Sequence, residues 1–543
     1  MNAVFEARNT DKQTGKPEWD AIIIGAGAAG AVFANELTTA GLKVLMLEMG
    51  PRYSNHRSDF AENEMAMWER VWDNGAYRVT GDGFSGAPNL GFGVGGGTLV
   101  WTAVALRMFE HDFKARTTYG QPAGSSLEDW PLTLRELEPF YEEAERQMGV
   151  AGTIAPWDPA SRCAPPNPAH PLFKGSQLLQ QGMKKLGIRS APGPVAIASR
   201  NWRRQSACLN CGFCRSGCRI DAKYQSDHAL IDVAQATGRL KLVTGVVVTR
   251  IVQDSAKHVS GVNYVDIATR TTLNARARVV IACNNPLELP RLFLNSANPY
   301  SPAGLGNQYD TVGRHFFSHL GTIGAGLTPQ CLDASVGFNM GNLITLDYAR
   351  ARKGAGYAGG FAIESLNGAG AGVMAVDPYR NLWGSQLKQA MQGFNQSIFT
   401  VTFCEGIPVR DNRITVDADR VDAWGLPNAH IHYQLHANDH TVFTDALNTT
   451  RSILSAAGAT SVAMTDSPFD AHPAGTMRMG HDPKTSVVNP YGKVHGLDNV
   501  YIGGSAQFVT GSSVNPTLTL HALAIRSARH IVREFAHNGF AVA

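Results

Sequence analysis

The stretch Asp20-Ala21-Ile22-Ile23-Ile24-Gly25-Ala26-Gly27-Ala28-Ala29-Gly30, continued by Leu42-Lys43-Val44-Leu45-Met46-Leu47-Glu48, decides the fold. It reads as strand, glycine turn, helix, strand. Gly25 allows the tight turn, Gly27 lets the backbone approach a pyrophosphate, and Gly30 lets the helix pack close to the strand. The helix start, at Ala28 and Ala29, offers free N–H groups and a positive dipole end to the phosphates. Glu48 ends the second strand, where an acid can hydrogen-bond ribose hydroxyls. The competing reading is an apolar Gly/Ala helix packed in some other α/β core. The strand before the glycines, the helix through them and the acid after them favour an adenine dinucleotide, NAD or FAD.

Length and composition bound the rest. The chain has 543 residues and is 44% hydrophobic, which predicts two domains with sizeable cores. Its net charge of +3 comes with no basic tail or polybasic block, so nothing points to nucleic acid. No run of 18 apolar residues predicts a transmembrane helix. The stretch Met1 to Asp20 is polar and has no secretory h-region, so a cytoplasmic location is expected, with export or membrane association through a partner subunit left open. Four of the eight cysteines lie between Cys208 and Cys218, which argues for a metal or redox site over a disulfide framework.

A second glycine cluster, Gly91-Phe92-Gly93-Val94-Gly95-Gly96-Gly97-Thr98, runs into Leu99-Val100-Trp101. Glycines in series let a backbone lie flat against a ligand. An amphipathic helix is expected from about Thr133 to Met148, another near Asp227–Thr237, and strands over 240–251, 261–267 and 278–283. Residues 310–465 alternate, as in Ser397-Ile398-Phe399-Thr400-Val401-Thr402-Phe403, and predict an antiparallel sheet with one wet face. Near the end, Val500-Tyr501-Ile502-Gly503-Gly504 reads as a strand. Asn515-Pro516-Thr517 opens a helix to about Phe535, with Pro516 in its first turn. This last strand–helix unit is expected to return to the dinucleotide sheet. The fold expected is α/β, α+β overall, in two parts. A discontinuous Rossmann-type dinucleotide domain takes 1–309 with 466–543, with the cysteine segment 203–223 inserted. A substrate domain takes 310–465, joined by part of 150–205.

Five motifs together resemble the glucose–methanol–choline family of FAD-dependent oxidoreductases. They are the Gly25/Gly27/Gly30 turn, Gly95-Gly96-Gly97-Thr98 with Trp101 and Arg107, Gly313-Arg314 with His319, His472-Pro473-Ala474-Gly475-Thr476-Met477-Arg478-Met479-Gly480, and Asn515-Pro516-Thr517-Leu518-Thr519. They follow the family's order along nearly the whole chain. The chain looks most like the branch containing the catalytic subunits of glucose, gluconate, fructose and glucoside dehydrogenases, which has a cysteine cluster in the same middle region. The resemblance implies FAD, covalent or noncovalent, in place of NAD. It implies adenine contact by the Thr244–Val248 strand, including Val248, and flavin contacts at Gly95, Gly96, Thr98, Trp101, Pro516 and Thr517. Where the family usually has Asp after its histidine motif, this chain has Gly504 with Ser505 beside it. Backbone groups or Ser505 are therefore expected to hold the ribityl chain.

Alcohol oxidation by a flavin needs a base for the hydroxyl proton. The resemblance points to His472 as that base, an imidazole titrating near neutral pH. It places Asn515 as the partner that orients the hydroxyl through its amide. Asn515 also fits a helix N-cap. His315, His319, His481, His495 and His521 are expected to be structural. The spacing Cys208-x-x-Cys211-x-x-Cys214-x-x-x-Cys218 is of ferredoxin type, with Arg219 in place of the usual Pro. An iron–sulfur cluster, 3Fe-4S or 4Fe-4S, is expected there, against plain thiols or disulfides and against zinc. The function expected is oxidation of an alcohol or sugar hydroxyl, with electrons leaving to a separate acceptor: a cytochrome subunit, a quinone or a dye. The alternatives are an oxygen-using oxidase of long-chain or aromatic alcohols and a lyase holding FAD as a structural ligand.

Overall fold

The computed structural model describes residues 17–73, 75, 77–84, 90–367, 375, 382–465 and 467–538. Residues 1–16 of the polar N-terminal stretch lie outside them.

The quoted stretch forms β1 (Trp19–Ile24), α1 (Ala28–Thr39) and β2 (Val44–Glu48). Ala21, Ile22, Ile23 and Ile24 are all buried, as a strand covered on both faces requires. β1 is parallel to β2 on one side and to Thr272–Ala282 on the other, and β2 is parallel to Leu240–Thr244. We name these two outer strands β3 (Leu240–Thr244) and, after β4 (Val246–Gln253) and β5 (Val259–Asp266), β6 (Thr272–Ala282). β4, β5 and β6 form an antiparallel meander that extends the sheet. The C-terminal strand Val500–Ile502 adds to β6 in parallel, with Ile281 opposite Tyr501. The end of the chain therefore does return to the first sheet. The C-terminal helix Thr517–Asn538 packs on α1, so α1 is covered by sheet and helix and carries the all-round apolar sequence that such a position needs.

The second sheet is antiparallel and six-stranded. Its strands are β7 (Phe317–Leu327), β8 (Met340–Thr345), β9 (Phe361–Leu366), β10 (Ser397–Cys404), β11 (Ser461–Met464) and β12 (Phe469–Ala474), in the order β8-β9-β10-β7-β11, with β12 also on β7. The expected wet face is absent from β10, where all eight residues are buried. The helix Ala437–Ala456 covers one face of the sheet and the central cavity lies against the other, since Val401 and Phe403 line that cavity. Alternation on β10 thus separates an apolar helix-packed face from a cavity face. The strand holding His472 is hydrogen-bonded to this second sheet, with His319 opposite Ala471. The chain then crosses at Gly475, whose φ is +88.

Candidate active site

Two glycine loops build one cradle. Gly25, at φ +95, turns the chain out of β1. A Cβ on Gly30 would lie 2.1 Å from the Gly25 carbonyl oxygen, so the close approach of helix to strand depends on that glycine. At Gly27 the nearest atom to an added Cβ is Gly96 Cα at 3.9 Å, so its missing side chain faces open cavity. The second loop is tied to the first: the Gly95 N–H donates to the Ala26 carbonyl at 2.9 Å, and a Cβ on Gly96 would come within 2.8 Å of Gly27 Cα. Thr98 is buried; its hydroxyl donates to Gly95 O and accepts from the Ser226 N–H, which locks the turn. Trp101 donates its indole N–H to Tyr224 O and leaves its ring on the cavity wall.

The cavity has a volume of about 1070 Å³, beyond the range of about 300–1,000 Å³ typical of a single small-ligand pocket. Gly25, Gly27, Ala28, Ala29, Glu48 and Val248 line it. So do Gly96, Thr98, Trp101, Gly504, Ser505 and Thr517. Gly30, Gly95 and Pro516 stand behind the wall and shape it. The Glu48 carboxylate accepts from the Ala26 and Gly50 N–H groups, each at 2.8 Å, while burial pushes its pKa up against those bonds. The Ser505 hydroxyl donates to Pro473 O, which fixes the loop after the last strand to the turn that carries His472. An elongated cradle that excludes Cβ atoms at one loop and opens onto a helix N-terminus fits a dinucleotide.

The far part of the same cavity holds His472 and Asn515. His472 sits at φ +61, a left-handed conformation that a non-glycine residue adopts rarely and that concentrates at functional sites. Its Nδ1 lies 3.0 Å from His319 Nδ1. The other nitrogen of His319, Nε2, is 3.2 Å from the Gly511 carbonyl. A carbonyl only accepts, so His319 carries its proton on Nε2 and presents a bare Nδ1. His472 must then donate from Nδ1, which leaves its own Nε2 unprotonated. Both rings are neutral at ordinary pH: burial lowers the His319 pKa to about 4 and holds that of His472 well below its usual value, with the neighbouring His319 adding to the drop. His319, expected to be structural, is thus the group that sets the tautomer of His472. Its only signal in the sequence is its place after Gly313-Arg314.

Asn515 is buried, and its Oδ1 has no hydrogen-bond partner. The helix behind it starts at Thr517, and the Pro516 carbonyl accepts the Leu520 N–H at 2.9 Å. Pro516 therefore occupies the cap, one residue earlier than the first-turn position expected for it. Asn515 precedes the cap, and its amide is not spent on the helix end. Around these two side chains the wall is apolar, with Ile323, Met340, Leu366, Val401, Phe403 and Phe469.

The four cysteines lie on a loop that backs onto this cavity. Cys211 is exposed, Cys214 buried, and Cys208 and Cys218 between. Burial raises the thiol pKa values of Cys208 to about 11 and Cys214 to about 12. Among the described residues no group of three or more His, Cys, Asp or Glu side chains is placed to hold a metal ion, so the expected ligand set Cys208, Cys211, Cys214 and Cys218 is not assembled as one. Nor does any helix among the described residues have the length and apolarity to cross a membrane.

Comparison with known proteins agrees with the cradle. Residues 19–321 match the N-terminal family model of the GMC oxidoreductases and residues 408–524 the C-terminal one. The 6'''-hydroxyparomomycin C oxidase of Streptomyces lividus is 30% identical over 529 residues, covering 95% of this chain and 92% of that protein. The fructose dehydrogenase large subunit of Gluconobacter japonicus is 28% identical over 557 residues, covering 95% and 98%. Among solved structures, pyridoxine 4-oxidase from Mesorbium loti superimposes with a TM-score of 0.66 at 17% identity, covering 94% of this chain and 99% of that one. With two family models spanning most of the sequence and a relative at 30% identity over nearly all of it, the chain belongs to the GMC oxidoreductases, FAD-dependent enzymes that act on CH–OH groups.

Proposed function

We propose that this enzyme works as a dehydrogenase: it oxidises an alcohol or sugar hydroxyl at His472 and Asn515 and passes the electrons to a separate acceptor. The observation that carries the first half is the His319–His472 pair, which leaves one unprotonated imidazole nitrogen on a cavity continuous with the dinucleotide cradle. FAD, when bound, supplies the acceptor for the hydride. His472 Nε2 takes the hydroxyl proton. Asn515 holds the hydroxyl oxygen through its amide, so that the C–H bond keeps one orientation. The apolar wall keeps water from the base and strengthens each polar contact inside. The test is rapid-mixing reduction under anaerobic conditions with a panel of alcohols and sugars. His472→Ala is expected to keep FAD and lose on the order of 10²–10⁴ in rate. Reduction at wild-type speed would remove His472 from the reaction.

The acceptor half rests on likeness to the fructose dehydrogenase large subunit and on the cysteine loop. Oxygen as acceptor is the competing reading, favoured by likeness to the Streptomyces oxidase. An iron–sulfur cluster on Cys208, Cys211, Cys214 and Cys218 is a second reading, favoured by one feature. The Lys223 ammonium is 1% exposed and donates to the carbonyls of Leu99, Trp101 and Cys214, with no carboxylate ion-pair partner among the described residues. It lies close enough to the Cys214 and Cys218 thiols to interact with their charge. A buried cation whose nearby carboxylate, Asp227, is already paired with His56 suits thiolates next to it. Iron and acid-labile sulfide in anaerobically purified protein, with turnover by one-electron dyes against oxygen, separate the three outcomes. Absence of iron ends the cluster reading, and fast turnover with oxygen puts the oxidase first.

A further inference from the structure

Glu364 lies on β9 with its side chain on the cavity face of the sheet. Phe361 and Ile363 pack into the apolar cluster under the helices Lys174–Lys185 and Ala437–Ala456, whereas Ala362 and Leu366 belong to the core around the cavity. Glu364 shares the Ala362 and Leu366 parity. It is 0% exposed, and neither carboxyl oxygen has a hydrogen-bond partner of ordinary geometry. A buried carboxyl in that condition costs stability and calls for a reason. Among the described residues the polar group that acts on it is the Asn515 side chain, in the sense of an amide N–H that favours the ionised carboxyl, while the Asn515 Oδ1 has no partner. The Glu364 carboxyl and the Asn515 amide are therefore neighbours, with three oxygens between them that lack a hydrogen-bond partner.

We propose that Glu364 is a positioning residue that decides which end of the Asn515 amide faces the substrate hydroxyl. This rests on the reading of His472 and Asn515 above. A primary amide has two opposite ends, an acceptor oxygen and a donor NH₂. A neutral Glu364 donates its O–H to Asn515 Oδ1. The NH₂ end then turns to the cavity and donates to the substrate oxygen, where negative charge grows as His472 removes the proton. An ionised Glu364 accepts from Nδ2 instead. The amide oxygen then faces the substrate hydroxyl and competes with His472 for its proton.

The neutral form is the one the site favours. Burial drives the Glu364 pKa up to about 8, and the Asn515 hydrogen bond only partly opposes this. Among the described residues no charged group counters it. β8, which flanks Glu364 on one side, has no titratable residue. β10 on the other has only Cys404, a thiol kept neutral by burial. Of the helices on the opposite face, Lys174 pairs with Asp333 and Asp445 with Arg352, while Lys184, Lys185, His440 and Arg451 are on the same two helices. Asp439 accepts backbone N–H groups at Ile407 and His436. The nearest histidines, His319 and His472, are neutral.

The experiment compares Glu364→Leu, Glu364→Gln and His472→Ala with the wild type, as purified holoenzyme. Glu364→Leu is expected to keep FAD and to slow flavin reduction on the order of 10- to 100-fold at saturating substrate, through a misaligned amide. Glu364→Gln, which donates to Asn515 Oδ1 at every pH, is expected to rescue the neutral-pH rate and to abolish the fall above about pH 8. Infrared titration of the wild type should show a carboxylic acid C=O band that disappears near the same pH and is missing from Glu364→Gln, a readout independent of turnover. An alkaline fall that survives in Glu364→Gln overturns the proposal, and so does a Glu364→Leu enzyme reducing at wild-type rate. If Glu364→Leu fails to fold, the Glu364→Gln profile and the infrared band still decide. A silent Glu364 beside a dead His472→Ala leaves the proposed reaction standing, and a silent His472→Ala removes the reaction itself.

Discussion

His319 and His472 meet nitrogen to nitrogen, Nδ1 to Nδ1 at 3.0 Å, across the pairing of β7 with β12. Because the Gly511 carbonyl fixes the proton of His319 on the far side, the contact fixes the proton of His472 as well. Replacing His319 by Ala is expected to keep FAD and lower the rate of flavin reduction by less than the loss in His472→Ala, since the base remains and only its tautomer is freed. Rapid mixing of the two variants measures the difference. Equal rates for His319→Ala and wild type would show that the contact does not orient the base.

The same pair predicts an acid-tolerant enzyme. A base must be neutral to work, and a lowered pKa keeps it neutral to lower pH. With His319 lowered to about 4 and His472 held well below its usual value, the acid limb of kcat/KM is expected well below pH 6.5. A limb at pH 6.5 or above would mean that the imidazole titrates as in water.

Gly27 and Gly30 are expected to fail in different ways. A Cβ at Gly27 meets nothing closer than 3.9 Å of protein, so Gly27→Val should fold and purify without FAD. A Cβ at Gly30 would stand 2.1 Å from a backbone oxygen, so Gly30→Ala should lose stability by at least the 1–3 kcal/mol (about) typical of overpacking. Flavin absorbance per protein and thermal melts in the absence of added FAD separate the two. A yellow, full-strength Gly27→Val would move the pyrophosphate elsewhere.

Stability should also depend on a carboxyl pair beside the site. Glu405 is buried near Asp112, and burial together with that neighbour raises its pKa to about 8; Asp112 is raised too. An acid whose pKa is higher folded than unfolded contributes stability that is complete below the unfolded value, near 4.5, and is lost as pH rises through the folded value. Tm is therefore expected to fall between about pH 5 and pH 8.5, and Glu405→Gln should flatten that slope. A slope unchanged in Glu405→Gln would assign it to other groups.

What the sequence made legible was local. Gly25, Gly27, Gly30 and Glu48 carry their meaning within 24 residues, and each glycine has a distinct steric duty in the folded protein. The strand expected over 261–267 falls on β5, whereas the one expected over 240–251 is two, β3 and β4, broken at Gly245 with φ +70, because a run of β-branched residues does not show where the chain leaves one neighbour for another. His319 was not readable as a partner of His472: 153 residues separate them, and only the register of β7 on β12 brings them together. Glu364 was hidden for the opposite reason, since a single acid in an alternating strand looks like its wet face until both faces prove to be covered. Asn515 misled in part, because Asn-Pro imitates a helix cap and the cap falls on the proline carbonyl. The cysteine spacing suggests a ligand set, and among the described residues the folded loop does not bring three or more such ligands together as one metal-binding group.

The Ala26–Gly95 stitch and the parallel seat of Val500–Ile502 on β6 have a consequence for synthesis. The cradle draws its walls from residue 24 at one extreme and residue 520 at the other. A chain emerging from the ribosome shows its first glycine loop early, yet the wall formed by Gly504, Ser505 and Thr517 follows only after the whole second sheet has been made. Cofactor capture must therefore wait until residues 504–517 have emerged and folded. Truncation at the C-terminus should yield a protein without flavin, however well its first sheet has formed.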